Sequence, residues 1–510
     1  MPSSRTISLV TAIVLAAALY SGCNGSESPV AGHGSSNSGS AAGDNKSPAT
    51  PANLRLLVVG DTELAQRVTR LRAEWSARAG TSLDVSEIAR ADLANAKSLA
   101  ADVVIYPSSE LGTLAERRLI RPLPVAWLAQ PAYHEPDLFE LPGQRETAWG
   151  EQTYAVPLGS PVFVCFYRAD LFASLGRTPP RTWDEYQQAA EFFAAREKSK
   201  TPAADAQSGT LEPLAAGWAG NVLLARSAAY AKHRDYYSTL FDKESLEPRI
   251  AGEPFVRALT ELVAAAKLGP KSQLSDTPAD VRREFFAGHT AMGLSWPTPA
   301  DNVASTAGAL TESKTLASAA TAVGFVELPG SPEVFNPRDR QWMRRKPDDE
   351  PHVPLLGIAG RMGSIVRGTP SGASAFELLI WLSTDEWSAQ ISTSSPATTL
   401  FRRSQMVHPD RWVESGMPQA AAKQYVEVAA RAFSRPGWLF SPRLPGHEEY
   451  LAALDNAVRH AVDGSATPAA ALRDAAAQWQ KITDRIGRAA QKLAYTRSIG
   501  LEPQSESGDK

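Results

Sequence analysis

Few residues of this chain are spaced for covalent chemistry. His447-Glu448-Glu449 lacks the second histidine with which a zinc-protease helix places two imidazoles on one face. No Gly-x-Ser-x-Gly elbow, phosphate-cradling glycine loop or Cys-x-x-Cys pair occurs. The eight histidines are scattered singly, so no metal site and no cofactor is expected. Two carboxylates could serve a glycosidase, but no spacing singles out a pair. What remains is non-covalent chemistry. An aromatic ring can stack on the apolar C–H face of a sugar while acids and hydroxyls take its OH groups. The chain has 12 Trp, of which Trp75, Trp183 and Trp479 fall on apolar helix faces and read as core. Trp218 differs: it stands in Ala216-Gly217-Trp218-Ala219-Gly220, an open setting for so large a ring.

The elements that must position such groups alternate between strand and helix. Residues 54–59 read as a strand ending at Gly60-Asp61, and Leu64, Val68, Leu71 and Trp75 then keep helical spacing. Leu83-Asp84-Val85 and residues 102–106 are further strands, the latter followed by Pro107-Ser108-Ser109 and a helix over 110–118. That order predicts an α/β fold with a parallel sheet, in which ligands sit outside the carboxyl ends of the strands. Asp61 and the loop carrying Tyr106, Ser109 and Glu110 thereby become candidate ligand residues. Two extended runs flank Gly159-Ser160-Pro161, which suggests a crossing between lobes. Thr182-Trp183-Asp184-Glu185 is a capping box, opening a helix whose apolar face is Trp183, Tyr186, Ala190 and Phe193. Residues 254–267 and 374–382 read as helices, 323–329 as a strand, and Thr467-Pro468 as the start of a C-terminal helix. Cys165, inside the apolar run 162–167, is expected to be a buried, inert thiol.

Length and composition bound the rest. The 510 residues are 43% hydrophobic and 21% charged, with a net charge of -3, which suits two or three folding units. A nucleic-acid partner is not expected: the one basic cluster, 338–346, is diluted by Asp339 and followed by three acids, and reads as a solvated loop. At the N-terminus, residues 7–19 form an apolar run of about 13 residues, too short to span a bilayer, which needs about 20. With Ser21-Gly22 behind it, the segment predicts a signal peptide over 1–22. Leu19-Tyr20-Ser21-Gly22-Cys23 resembles the bacterial lipoprotein box, with Tyr20 where leucine is preferred, so Cys23 is expected to carry an N-terminal lipid anchor. Residues 24–52, rich in Ser, Gly, Ala, Asn and Pro, read as a flexible tether.

Several segments together resemble the extracellular solute-binding proteins of ATP-binding-cassette sugar importers, the family that includes maltose-binding protein. The strongest runs from Tyr154-Ala155-Val156-Pro157 through Cys165-Phe166-Tyr167-Arg168-Ala169-Asp170-Leu171-Phe172 to Gly176, Pro179-Pro180 and Thr182-Trp183-Asp184-Glu185, with Arg168 where asparagine is usual. Phe285-Phe286-Ala287-Gly288-His289-Thr290-Ala291-Met292 is a second match, Val323-Gly324 to Leu328-Pro329-Gly330 a third, and weaker ones lie at 375–387 and 463–479. Their order and spacing cover residues 54–486. The resemblance implies a two-lobed periplasmic-binding-protein fold with a hinge between lobes. The domains would be 54–158 plus 324–396 for one lobe, 162–322 plus 400–493 for the other, and 494–510 a loose tail. Trp296, Trp438 and Tyr450 join Asp61, Tyr106, Ser109, Glu110 and Trp218 as implied ligand residues. Pro161 and Val162 depart from the family where maltose-binding protein supplies an acidic ligand.

The implied function is capture of a small polar ligand, a sugar or oligosaccharide, by an exported, membrane-anchored monomer in the periplasm or at the cell surface. It would deliver that ligand to an inner-membrane ABC permease by hinge closure. The competing readings are a secreted carbohydrate-active hydrolase and a binding-protein-like sensor not coupled to transport.

Overall fold

The computed structural model describes residues 53–198, 208–300 and 322–502; the apolar segment 7–19, Cys23 and the tether lie outside the described residues. Among the described residues no helix is long and apolar enough to cross a membrane.

A five-stranded sheet anchors the first half. Its strand order is Leu83–Ile88, Leu54–Val59, Val103–Pro107, Arg361–Ile365, Ala155–Gly159. The first three strands are parallel, as the alternation of strand and helix requires, and Arg361–Ile365 inserts antiparallel between Val103–Pro107 and Ala155–Gly159. Both faces of the sheet are covered, which is why its strands are near-continuously apolar. Leu54, Leu56 and Val58 pack with Val68 and Trp75 on one side, whereas Leu57 and Val59 face the other with Val104 and Tyr106.

A second sheet has the order Met292–Ser295, Val164–Arg168, Val323–Glu327, both pairings antiparallel. This corrects the lobe boundary expected at 324. Val323-Gly324-Phe325 would suit either sheet by hydrophobicity alone. Its place is set by Phe325, whose ring lies 4.9 Å from Phe166 and 5.7 Å from Tyr425. Gly324 also lets the Tyr167 ring close in, since a Cβ there would come within 2.3 Å of it.

Ala155–Gly159 belongs to the first sheet and Val164–Arg168 to the second, so residues 160–163 cross between them, as expected from Gly159-Ser160-Pro161. Gly159 has φ +153, and a Cβ there would sit 2.5 Å from backbone atoms of Ala397, Thr398 and Thr399. The crossing thus lies directly against the segment that precedes Leu400.

Helices complete the second half. Gln419–Ala432 packs on Val323–Glu327, and His447–Val462, Pro468–Ile486, Ala219–Ala231 and Glu253–Ala266 form a mutually packed group. The capping box is present: Glu185 N–H donates to Thr182 Oγ1 (3.2 Å) and Thr182 N–H to Glu185 Oε2 (3.3 Å). Thr467 likewise accepts from Ala470 N–H at 3.3 Å. Trp183, Tyr186, Ala190 and Phe193 are buried, and Cys165 is a free, buried thiol raised far above its ordinary pKa by that burial.

Two expectations fail. The basic stretch 338–346 is no loop throughout: Glu333–Asn336 and Gln341–Arg344 pair as an antiparallel hairpin, turned by Arg340 at φ +53. The tail does not loosen at 494. Arg488–Ser498 is a helix held by Tyr495, whose ring packs 5.1 Å from Phe241 and whose hydroxyl accepts from Ser238 Oγ (3.0 Å).

Candidate functional site

The end of the first sheet at which its parallel strands finish carries four charged side chains, Asp61, Arg90, Glu110 and Arg361. Asp61 caps the helix Thr62–Arg70 by accepting from Leu64 N–H at 3.1 Å. Its second oxygen accepts from Arg361 Nε (2.9 Å) and Ser395 Oγ (2.6 Å). Arg361 begins its strand, and because that strand is antiparallel its first residue lies beside Pro107, at the end of Val103–Pro107. Burial lowers the Arg361 pKa and Asp61 opposes that, as expected of a buried pair. Asp61 is therefore saturated by intramolecular partners.

Arg90 follows the strand Leu83–Ile88, and its guanidinium Nη2 meets four acceptors. These are Ser109 Oγ (3.3 Å), Glu110 Oε1 (3.1 Å), His447 Nε2 (3.3 Å) and Glu448 Oε1 (3.2 Å). Ser109 and Glu110 stand on a single turn after the first sheet, whereas His447 and Glu448 open the helix His447–Val462 among the helices of the second half. Glu110 and His447 are 5% and 3% exposed, whereas Arg90 and Glu448 reach solvent. Burial raises the Glu110 carboxyl against the pull of Arg90. Burial, and then Arg90, press the His447 imidazole down to about 4. A neutral ring presents Nε2 to Arg90 as an acceptor. Glu110, His447 and Glu448 bring ligand atoms within 4.8 Å of one another, the one such cluster among the described residues. The cation they surround is Arg90 itself, which fills the position a metal would take.

Between hub and crossing lies Glu146, 2% exposed. Its carboxylate accepts from Ser160 Oγ, its main-chain oxygen accepts from Arg443 Nη1 (2.8 Å), and burial raises its pKa. A Cβ at Gly360 would lie 3.3 Å from Glu146 Oε1 and 3.2 Å from Ser108 Oγ, so both polar atoms border the same small space.

The aromatic side of the site comes from the second half. Trp296 follows Met292–Ser295 and donates Nε1–H to Pro396 O at 2.8 Å, with Phe163 edge-on at 5.7 Å. Trp218 lies 5.6 Å from it, half-buried at the start of Ala219–Ala231. Asp455 caps that start by accepting from Gly217 and Gly220 N–H, each at 2.7 Å, so the Trp218 ring is not tied to capping. Trp296 is 2% exposed and backs the more accessible Trp218.

Not every expected residue joins this group. Tyr106, two residues after Val104 on the same strand face, is fully buried, and its hydroxyl pairs with Ser364 Oγ at 2.6 Å. Tyr450 is fully buried between Phe241 and Trp479, with its hydroxyl on Thr483 Oγ1 at 2.8 Å. Both are core residues, a correction to the ligand set. Trp438 lies elsewhere, between Arg145 and Lys232. Arg90, Arg361, Glu146 and His447 were missed. The rule that pointed to Asp61, a charged residue just past a sheet strand, applies equally to Arg90.

Two sheets, a crossing braced by a second segment, and charged and aromatic groups facing one another from both halves define a two-lobed binding protein. Residues 80–389 match the family model described as bacterial extracellular solute-binding protein, and the chain belongs to that family. No match is found among curated proteins. Solved structures share the fold. The sugar-binding protein MalE from Xanthomonas citri aligns with a TM-score of 0.61 at 19% identity, over 85% of this chain and 98% of that one. An ABC transporter solute-binding protein from Agrobacterium radiobacter K84, in complex with ribitol, gives 0.60 at 19%, over 84% and 98%. Maltose-bound MalE3 of T. maritima gives 0.58 at 17%, over 84% and 100%.

Proposed function

We propose that this protein captures a small neutral polyhydroxyl compound, a sugar or polyol, between its two lobes and hands it to an ABC importer. The observation that carries the reading is the Trp218–Trp296 pair, an aromatic surface set at the end of a second-sheet strand and beside the crossing. An indole face suits the C–H side of a sugar, and buried polar groups such as Glu146 and Ser108 suit its hydroxyls. Asp61 is paired with Arg361, and Glu110 and Glu448 with Arg90, which favours an uncharged ligand. Proteins of the same fold with ribitol or maltose bound support the class of compound. In this reading the first lobe is built on residues 54–159 and the strand Arg361–Ile365, and the second on the strands Val164–Arg168, Met292–Ser295 and Val323–Glu327. Closure turns on the segments near Gly159 and Ala397. Export, acylation of Cys23, and action as a monomer at the periplasmic or outer surface belong to the same proposal.

Calorimetric titration of the chain against ribitol, mannitol, tagatose and maltose is expected to show saturable binding to at least one, without turnover. Hydrolysis of an oligosaccharide by the purified chain, or silence across a broad sugar and polyol panel, would refute it. Cys23→Ala is expected to move the protein out of the membrane fraction; persistence there would show another attachment.

A further inference from the structure

The basic stretch 338–346 has no part in the proposed capture of a polyol, yet it folds into the hairpin of Glu333–Asn336 and Gln341–Arg344. One face of that hairpin is fastened to the body. Trp342 lies 5.5 Å from Phe335 and 5.9 Å from Tyr230, packs against the Arg257 guanidinium at 4.9 Å, and donates Nε1–H to Glu253 at 3.2 Å. The turn and the outgoing strand are thereby held in a fixed place, with Arg338, Arg340, Arg344 and Lys346 all exposed. The acids of the same stretch are mostly engaged elsewhere. Glu333 accepts from Arg257, Asp339 from Asn336, Asp349 from Arg234 and from the main-chain N–H of Lys346, and Glu350 pairs with Arg435. Among the described residues the side chains of Arg338, Arg340, Arg344 and Lys346 find no partner, and of the acids only Asp348 is left free to offset them.

Apolar groups share this surface. Met343, next to Arg344, is 45% exposed. Arg234 meets Asp349 at 3.3 Å, which sets the loop 232–238 beside the exit of the hairpin, and Tyr237 on that loop is 67% exposed. A soluble acidic partner would use the cations alone. A bilayer surface uses both, since phosphates match the planar fork of arginine and the boundary beneath them takes a thioether or a phenol ring. A run of about four to eight basic residues is the ordinary size of such a contact.

We infer that this hairpin is a membrane-contact surface that lays Arg338, Arg340 and Arg344 on the phosphates of an anionic phospholipid bilayer.

The inference draws on the proposed Cys23 anchor for proximity only. Residues 24–52, as a tether, would span about 30 Å, so a weak surface affinity is enough to orient the body. Each cation near an anionic surface raises partitioning about fivefold, and salt screens the effect. Binding of that strength is washed off in salt, so it leaves the Cys23→Ala test unaffected.

Residues 51–510 form a compact unit of their own, so the body can be tested without the apolar segment 7–19. The measurement is cosedimentation with vesicles of phosphatidylcholine alone, or with about a third phosphatidylglycerol. Partitioning onto the anionic vesicles is expected to exceed that onto the neutral ones at least about tenfold, and to fall as much between about 25 and 300 mM salt. Arg338→Glu with Arg340→Glu should reduce it to the neutral level at an unchanged unfolding midpoint. Arg78→Glu with Arg473→Glu makes the same change of net charge at exposed helix positions and should cost less than about twofold. A polarity-sensitive dye on Met343→Cys should shift to the blue with anionic vesicles only, Cys165 being buried. That dye decides even if the double variant fails to fold. Equal partitioning onto both vesicles, or equal loss in the two double variants, would overturn the inference. A dye that stays in water while the chain binds would overturn it too, because another surface would be the contact. Tight binding of polyglutamate without selective binding of anionic vesicles would replace the bilayer with an acidic protein.

Discussion

The two sides of the cleft solve opposite problems. On the side of the first sheet, Arg90 gathers Ser109, Glu110, His447 and Glu448 around one Nη2, and Asp61 is saturated by Arg361, Ser395 and a helix N-terminus. On the other side Trp218 rests on Trp296 and offers a surface that no neighbour's hydrogen bonding can exhaust. Charged groups in a partly dry cleft must find partners within the protein, since an uncompensated buried ion costs several kcal/mol. Aromatic faces carry no such demand and can wait for a ligand. In the proposed function the charged side holds the two lobes in register, and the aromatic side recognises the ligand.

The hub is the place to break that comparison with the largest effect. Arg90→Met removes the one cation shared by Glu110 and His447 and leaves the buried Glu110 with only His447 and Thr113 beside it. A loss of about 2–4 kcal/mol in urea unfolding is expected, at the low end because Arg90 is itself partly exposed. A loss under about 1 kcal/mol would show that the hub is an ordinary surface ion pair. Sugar affinity measured on the folded variant should change less than its stability does.

Acid should reach the same hub through His447. Its imidazole is held down to about 4 in the folded chain, against 6.5 for the ordinary group. Below pH 6.5 the unfolded chain takes up a proton that the folded chain refuses. Stability is therefore lost as pH falls from 6.5 towards 4, by about 2–3 kcal/mol from this residue. His447→Gln, which keeps an acceptor but cannot titrate, should flatten that part of the pH–stability curve. An unchanged slope would mean that the ring titrates in the fold as it does in the unfolded chain.

How far the sequence could lead differs between these two sides for a physical reason. Strand and helix order, the capping box at Thr182, the N-cap at Thr467, and the crossing at Gly159 follow local rules of period, cap and turn, and they stand in the structure. Trp218 stands out in the sequence because small residues flank it. The ion-pair network was not, because Arg90 and His447 are 357 residues apart and nothing local links them. Tyr106 and Tyr450 went astray for a related reason. Position after a strand or near a motif says where a backbone lies, but the face that a ring takes is settled by its partners Ser364 and Thr483. Val323–Glu327 shows the same ambiguity for a whole strand, since an apolar run does not choose between two sheets.

On the aromatic side, Trp218→Ala should weaken binding of the responsive sugar or polyol by about tenfold, or about 1–2 kcal/mol, with little change in the unfolding midpoint. Trp296→Ala should cost both affinity and stability, because that ring also fills space against Phe163 and donates to Pro396. Equal affinity in both variants would move recognition away from this pair.

The smallest effect separates core from site. Tyr106→Phe keeps the buried ring and removes only the hydroxyl paired with Ser364, at 2.6 Å across the first sheet. A net loss of about 1 kcal/mol in stability is expected, the ordinary worth of one buried hydrogen bond. Ser364 Oγ also reaches Tyr154 O at 2.8 Å, so it is not left without a partner, and this holds the loss down. Ligand affinity should not move. A fall in affinity without a fall in stability would return Tyr106 to the binding surface, and would mean that the sheet opens on that face when ligand enters.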